Sequence, residues 1–173
     1  EKRTLLIDAD LRRPGLTTLM DMRGPRGLSE ILRSEGDIGE VAAKNLRPSG
    51  VHGLDIIPSG PRPSDPAELL SGPRLSQLLA WAETLYDQIL IDSPPTLATT
   101  DTAVIGRLVD GVIVVTQPAK NRRQFVLKVI ERLQLMKVPI LGLIANRTGS
   151  GKEEGYYGYN YNYSNSRRLC WGA

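Results

Sequence analysis

Residues 4–12 read TLLIDADLR and residues 88–95 read QILIDSPP. Each is a short aliphatic run that ends in a carboxylate, the pattern of a buried strand whose tip meets polar surroundings. Apolar runs of similar length follow at 54–58 (LDIIP), 111–116 (GVIVVT) and 139–145 (PILGLIA). Segments with helical spacing lie between them. Short pieces fall at 16–22 and 28–33, then come 67–71 and 74–86, with Leu75, Leu78, Leu79 and Ala82 on one face. Two more lie at 102–108 and at 122–136, where Val126, Val129, Ile130 and Leu133 form one stripe. Strands apolar on both faces, alternating with helices, predict an α/β fold of three layers: a parallel sheet with helices on both sides. Pro58, Pro61, Pro63 and Pro66 fix φ and keep the segment 59–66 irregular.

The chain has 173 residues, the size of one domain, with 40% hydrophobic and 24% charged residues, enough for one core. Twenty-two basic against 19 acidic residues give a net charge of +3, too small an excess to argue for nucleic acid as a partner. The single cysteine, Cys170, excludes a disulfide framework, makes a reducing compartment the default and reads as an incidental residue. The single histidine, His52, sits in a Gly-rich turn, cannot build a histidine metal site and is expected at the surface. No apolar run approaches the ~20 residues that span a bilayer, and no signal peptide opens the chain. Glu1-Lys2-Arg3-Thr4 runs straight into an apolar strand, as expected of a cut inside a domain. Residues 1–147 are therefore expected to form a partial domain and 148–173 a flexible tail of Gly, Asn, Ser and Tyr. Five of the six tyrosines lie in that tail: Tyr156, Tyr157, Tyr159, Tyr161 and Tyr163.

In open parallel sheets, ligands bind beyond the carboxyl ends of the strands. Asp8 and Asp10 lie two apart on an extended chain, so their side chains share a face. Asp92 ends the second acidic strand. Carboxylates at such tips suit a magnesium–triphosphate site, because Mg²⁺ takes one or two carboxylates, waters and phosphate oxygens. A spare carboxylate can accept the proton of an attacking hydroxyl. A single Asp after a strand would merely cap a helix or turn. Two in this order, about eighty residues apart, point to a nucleotide site.

These residues also carry a family resemblance. LLIDADLRRPGL (5–16) resembles the second Walker motif, A-prime, of the bacterial tyrosine kinases called BY-kinases, and ILIDSPP (89–95) resembles their Walker B motif. PSGPRPSDPAELL (58–70) is similar to the family's Pro-rich turn before a helix, with Asp65 where Asn is common. DTAVIGRLVDGVIVV (101–115) and VPILGLIANR (138–147) resemble the segments that follow Walker B, so the likeness covers residues 3–148 and the tyrosine cluster extends it. Each motif alone is shared with MinD- and ParA-like ATPases. The resemblance implies a P-loop NTPase-like fold that uses ATP and Mg²⁺ to phosphorylate its own tail tyrosines. Asp8 would be the base, and Asp10 and Asp92 would hold or orient Mg²⁺. Arg12 would order the active-site loop or an inter-subunit contact, unless it is simply a solvated charge. Asn146 would read the adenine edge, or cap the end of its strand. The implied setting is the cytoplasmic face of the bacterial inner membrane. There the family regulates exopolysaccharide and capsule synthesis with a membrane co-polymerase module, fused or separate, a homo-oligomeric ring and a tyrosine phosphatase.

The family's Gly-rich phosphate loop is not found. Residues 148–153 (TGSGKE) mimic it, but Asn146 stands where Gly is needed and Glu153 where Ser or Thr is needed. By resemblance that loop and the first strand precede residue 1, and the strand belongs between the Walker B strand and the GVIVV strand. The chain alone is then expected to bind ATP weakly and to expose apolar strand edges. Phosphates on the tail would each add roughly −1.5 to −2 charges and drive a ring apart. Two other readings are a MinD/ParA-type positioning ATPase and a degenerate domain that only docks. The tyrosine cluster argues against the first, and intact Asp8, Asp10 and Asp92 against the second.

Overall fold

The computed structural model describes residues 2–96 and 100–148. The tail tyrosines lie outside the described residues, as does nearly all of the segment expected to be flexible. β1 (Thr4–Asp8) is the centre of a four-stranded sheet of order β2-β3-β1-β4. Its neighbours β3 (Leu54–Ile57) and β4 (Gln88–Asp92) run parallel to it on either side, with Thr4 opposite both Leu54 and Gln88. β2 (Arg47–Pro48) adds a short antiparallel edge to β3. A second sheet pairs β5 (Val112–Thr116) in parallel with β6 (Ile140–Ala145) across the helix α7 (Arg123–Leu135). Among the described residues, β4 is hydrogen-bonded only to β1, and β5 only to β6.

Alternation along the strands decides where the core lies. Leu5 and Ile7 point to one face of β1, where with Ile57 they meet helix residues that are fully buried or nearly so. Leu28 and Ile31 come from α2 (Leu28–Arg33), Ala42 from α3 (Ile38–Asn45) and Leu70 from α4 (Pro66–Ser71). Leu75, Leu78 and Ala82 come from α5 (Pro73–Glu83), and Ile105 from α6 (Asp101–Gly106). A separate, smaller cluster joins Val114, Val129, Leu133 and Val138 under α7. The apolar residues on the opposite faces are not matched in the same way: Leu90 is 52% exposed and Leu143 52% exposed. Runs that read as buried on both sides are thus covered on one side at β4 and β5, and β6 beyond Ile140 is exposed on both, with Ile144 at 50%.

Most elements fall where the periodicity puts them, with ends set by local chemistry. α4 begins one residue earlier than expected because Pro66 is tolerated at the first helical position, and Asp65 caps it by accepting the Glu68 N–H (3.2 Å). α5 stops at Glu83 rather than residue 86, where Thr84 and Leu85 close tighter turns back onto Trp81 and Ala82. The sequence reading has no element between Arg33 and Leu54, whereas the structure has α3 and β2 there. Asp37 caps α3 through the Glu40 N–H (3.0 Å), and buried Asn45 accepts the Gly27 N–H (2.6 Å) while donating to the Val41 carbonyl (2.8 Å).

That bond presses Gly27 against the chain that leaves β3. A Cβ there would overlap the Gly60 amide and the Pro58 carbonyl. Gly27→Ala should therefore lower the urea midpoint, by about 1–3 kcal/mol of overpacking. Gly24→Ala, at a site with nothing within 4 Å, should leave the midpoint close to wild type.

Candidate active site

The C-terminal edge of the larger sheet is built where β1 and β4 end together. Asp8 is the register partner of Asp92, and the Ala9 N–H continues the ladder by donating to the Asp92 carbonyl (2.8 Å). Paired residues of parallel strands project to the same face, so the two carboxylates are neighbours. Asp10 lies just beyond. Its Oδ1 accepts the backbone N–H of both Arg12 (3.1 Å) and Arg13 (2.9 Å), which fixes the turn after β1.

Asp8 is fully buried. Its Oδ2 accepts two bonds from one residue, the Thr17 N–H (2.7 Å) and the Thr17 hydroxyl (2.7 Å). Its Oδ1 accepts the longer bond from the Asp10 N–H (3.2 Å). Thr17 lies on α1 (Gly15–Leu19), and its Oγ1 in turn accepts the Ser59 N–H (2.8 Å) from the end of β3. Burial raises the Asp8 carboxyl above its ordinary range, and the bonds from Thr17 oppose that rise. Asp92 has no such compensation. Burial, then the charges of Asp8 and Asp10, push it up to about 6.

The edge is tied from the other side by Arg12. Its Nε donates to Oδ2 of Asp101 at 2.8 Å and its Nη2 to Oδ1 at 3.3 Å, a two-point contact with a carboxylate that is 1% exposed. Asp101 holds the guanidinium protonated above its ordinary value. Thr102 Oγ1 donates to the Pro94 carbonyl (2.6 Å), so the start of α6 is fastened to the segment that leaves β4.

The structure therefore brings Asp8, Asp10, Asp92 and Arg12 to one edge. Asn146 is placed at the end of β6, in the other sheet. Its N–H donates to the Thr116 carbonyl (2.7 Å) and its side-chain oxygen accepts the Arg147 N–H (2.8 Å). Thr17, Ser59 and Asp101 belong to the same edge, and sequence reasoning did not single them out. Asp101 was open to detection as an acid at a helix start, but Thr17 and Thr18 read alike in GLTTL until the structure turns one inward.

Among the described residues, no three His, Cys, Asp or Glu side chains form a group that could hold a metal ion. Mg²⁺ does not require one, since one or two carboxylates with phosphate and water suffice. Asp10 and Asp92 fit that donor set. Burial, and after it the charges of Asp8 and Asp10, disfavour the ionised Asp92 carboxyl, and a divalent cation there would favour it.

A mostly parallel α/β sheet with paired acids at its carboxyl edge defines a nucleotide-binding domain of the P-loop NTPase type. A family model described as ParA, "NUBPL iron-transfer P-loop NTPase", matches residues 1–156. The chain is 34% identical over 164 residues to the tyrosine-protein kinase YwqD of Bacillus subtilis, covering 94% of this chain and 68% of that one. It is 38% identical over 164 residues to the tyrosine-protein kinase wzc of Salmonella typhi, but spans only 22% of that protein's length against 92% of its own. Among solved structures, the kinase domain of Escherichia coli tyrosine kinase ETK matches with a TM-score of 0.80 at 36% identity, over 94% of this chain and 62% of that one. Likeness to MinD- and ParA-type ATPases reaches the fold alone. The chain belongs to the bacterial tyrosine-kinase family, within the ParA-like P-loop NTPases.

A folded-state carboxyl held near 6, against an ordinary 3.8, binds its proton more tightly in the folded than in the unfolded chain. Stability is therefore lost as pH rises through that interval. Without divalent cations, Asp92→Asn should raise the urea midpoint at neutral pH, and its advantage should vanish below 3.8.

Proposed function

We propose that this chain carries the catalytic edge of an ATP-dependent, autophosphorylating protein-tyrosine kinase. The observation that carries the reading is the in-register pairing of Asp8 and Asp92 at the ends of adjacent parallel strands, with Asp10 one turn beyond. Relatives named as tyrosine-protein kinases over most of the chain support it.

In this reading Oδ1 of Asp8 accepts the proton of a tyrosine hydroxyl. The phenolic oxygen attacks the γ-phosphorus of ATP, the bond from that phosphorus to the bridging oxygen breaks, and ADP leaves. Mg²⁺, held through Asp10 and Asp92, would neutralise charge on the phosphates. Arg12, fastened to Asp101, holds the loop after β1 against α6. Asp8 is fully buried, so a tyrosine reaches it only when the segment around α1 moves aside. Asn146 is the residue of this reading for the adenine edge. Its side-chain oxygen is taken by the Arg147 N–H, so the amide nitrogen is the part to test as a contact.

The acceptors are Tyr156, Tyr157, Tyr159, Tyr161 and Tyr163, close enough in sequence to be phosphorylated in succession. Among the described residues β4 and β5 each have one edge without a strand partner, which supports a further strand between them that would carry the phosphate loop at its carboxyl end. The domain would act at the cytoplasmic face of the inner membrane in exopolysaccharide or capsule export. Its partners would be a membrane co-polymerase module, copies of itself in a ring and a tyrosine phosphatase. The co-polymerase module would be fused upstream or separate; no described helix is itself long and apolar enough to cross a membrane.

The test is to incubate the intact protein with Mg-ATP and map phosphotyrosine by mass spectrometry, beside an Asp8→Asn variant. Phosphate on residues 156–163 is expected, with a loss of about 10²–10⁴-fold in rate for the variant. ATP hydrolysis without phosphotyrosine would instead make the chain a positioning ATPase of the ParA type.

A further inference from the structure

Among the described residues, Thr17 supplies the only side-chain hydrogen bond to Asp8. The bond is set in an unusual way. A threonine hydroxyl has one proton and two lone pairs. Because Oγ1 accepts the Ser59 N–H at 2.8 Å, its proton is directed elsewhere, and Oδ2 of Asp8 lies 2.7 Å away. The alternative partner, Ser59 Oγ, is farther, at 3.3 Å. Ser59 is itself fixed, since its carbonyl accepts the Ser29 N–H (3.0 Å) and Pro58 precedes it. β-Branching stiffens Thr17 at χ1, and the residue is 2% exposed, so it has little freedom to turn away.

The two carboxylate oxygens of Asp8 are thereby made unequal. Oδ2 is saturated by two short bonds from Thr17, while Oδ1 has one longer bond from a backbone amide. A base must present a free lone pair in one direction to the proton it removes, and a third group commonly orients it. We propose that Thr17 is the positioning residue for Asp8: by occupying Oδ2 it presents Oδ1 to the acceptor tyrosine. Ser59 acts behind it through its backbone. The proposal rests on the reading of Asp8 as the base.

The test compares Thr17→Val, which keeps the shape and removes the hydroxyl, with Thr17→Ser, which keeps the hydroxyl. Autophosphorylation of the intact protein is followed as kcat and as KM for ATP. Loss of a supporting hydrogen bond to an active-site group commonly costs about 10–100-fold. Thr17→Val should lower kcat by that factor and change KM for ATP by less than about 3-fold, an effect on the transfer step rather than on binding. Thr17→Ser should return kcat to within a few-fold of wild type. In an Asp8→Asn background, Thr17→Val should add nothing further, because the two residues act as a unit. The proposal is overturned if Thr17→Val leaves kcat unchanged, or if it costs as much in the Asp8→Asn background as alone. A folded Thr17→Ser that stays as slow as Thr17→Val overturns it too, and that comparison holds even where the valine variant unfolds. A wild-type protein that forms no phosphotyrosine overturns the kinase reading first. Active wild type with an unaffected Thr17→Val overturns only the role of Thr17.

Discussion

A carboxylate buried at the tip of the central strand organises the whole edge of the sheet. Moving an ionised group out of water costs several kcal/mol unless hydrogen bonds replace its hydration. Asp8 meets that demand with donors drawn from two places, the turn at Asp10 and the helix at Thr17. Thr17 in turn needs the amide after β3. One buried charge therefore sets the path of the chain after β1 and couples it to the chain after β3. On the other flank the ladder to β4 runs on through Ala9, and Arg12 reaches across to Asp101. Asp92 sits beside this network without sharing its donors, which is why its carboxyl titrates so high.

Much of the fold was legible because strand and helix periods differ. TLLID, LDII, QILID, VIVVT and the ILGLIA run each stand out as continuous apolar segments, and their order with the helices implies parallel pairing. The eight residues of α3 were not legible, because only Ala42 and Asn45 are buried and the signal lies in a cap, Asp37, rather than in a stripe. The carboxylates at the strand tips could be read, but not their register, which depends on how far each strand slides against β1. Burial on one side only at Leu90 could not be read either, since an apolar strand looks the same whether one face or both are covered. Thr17 and Ser59 are ordinary small polar residues, and only the geometry gives them a role.

The family relation spans several chemistries on one scaffold, so the fold by itself does not select among them. Iron transfer, the activity in the matching family model's description, draws on metal ligands such as thiolates, and this chain has a single cysteine and one histidine. The relatives at 34–38% identity carry kinase names, whereas the ATPases that position cell components share the architecture at lower identity. What separates the alternatives chemically is an acceptor. A hydrolase needs water at the γ-phosphate, while a kinase needs a hydroxyl held beside a base, and a cluster of five tyrosines in one chain is a supply of such hydroxyls.

The apolar residues fall into two clusters rather than one, the larger spanning Leu5 to Ile105 and the smaller confined to Val114, Val129, Leu133 and Val138 with their neighbours. Each has its own sheet, and among the described residues no strand pairing joins them, although Gly106 at the end of α6 lies against Val138 and Val112. Foldons often coincide with such units, so the two clusters are expected to differ in local stability. With four buried residues against fifteen, the β5–α7–β6 unit should open at lower cost than the body around β1 and α5. The proposed kinase would then keep its acids on the firmer unit and leave any adjustment to the other. Whatever pairs with both sheets would act as a clutch, joining them into one cooperative body at the moment the edge between them is occupied.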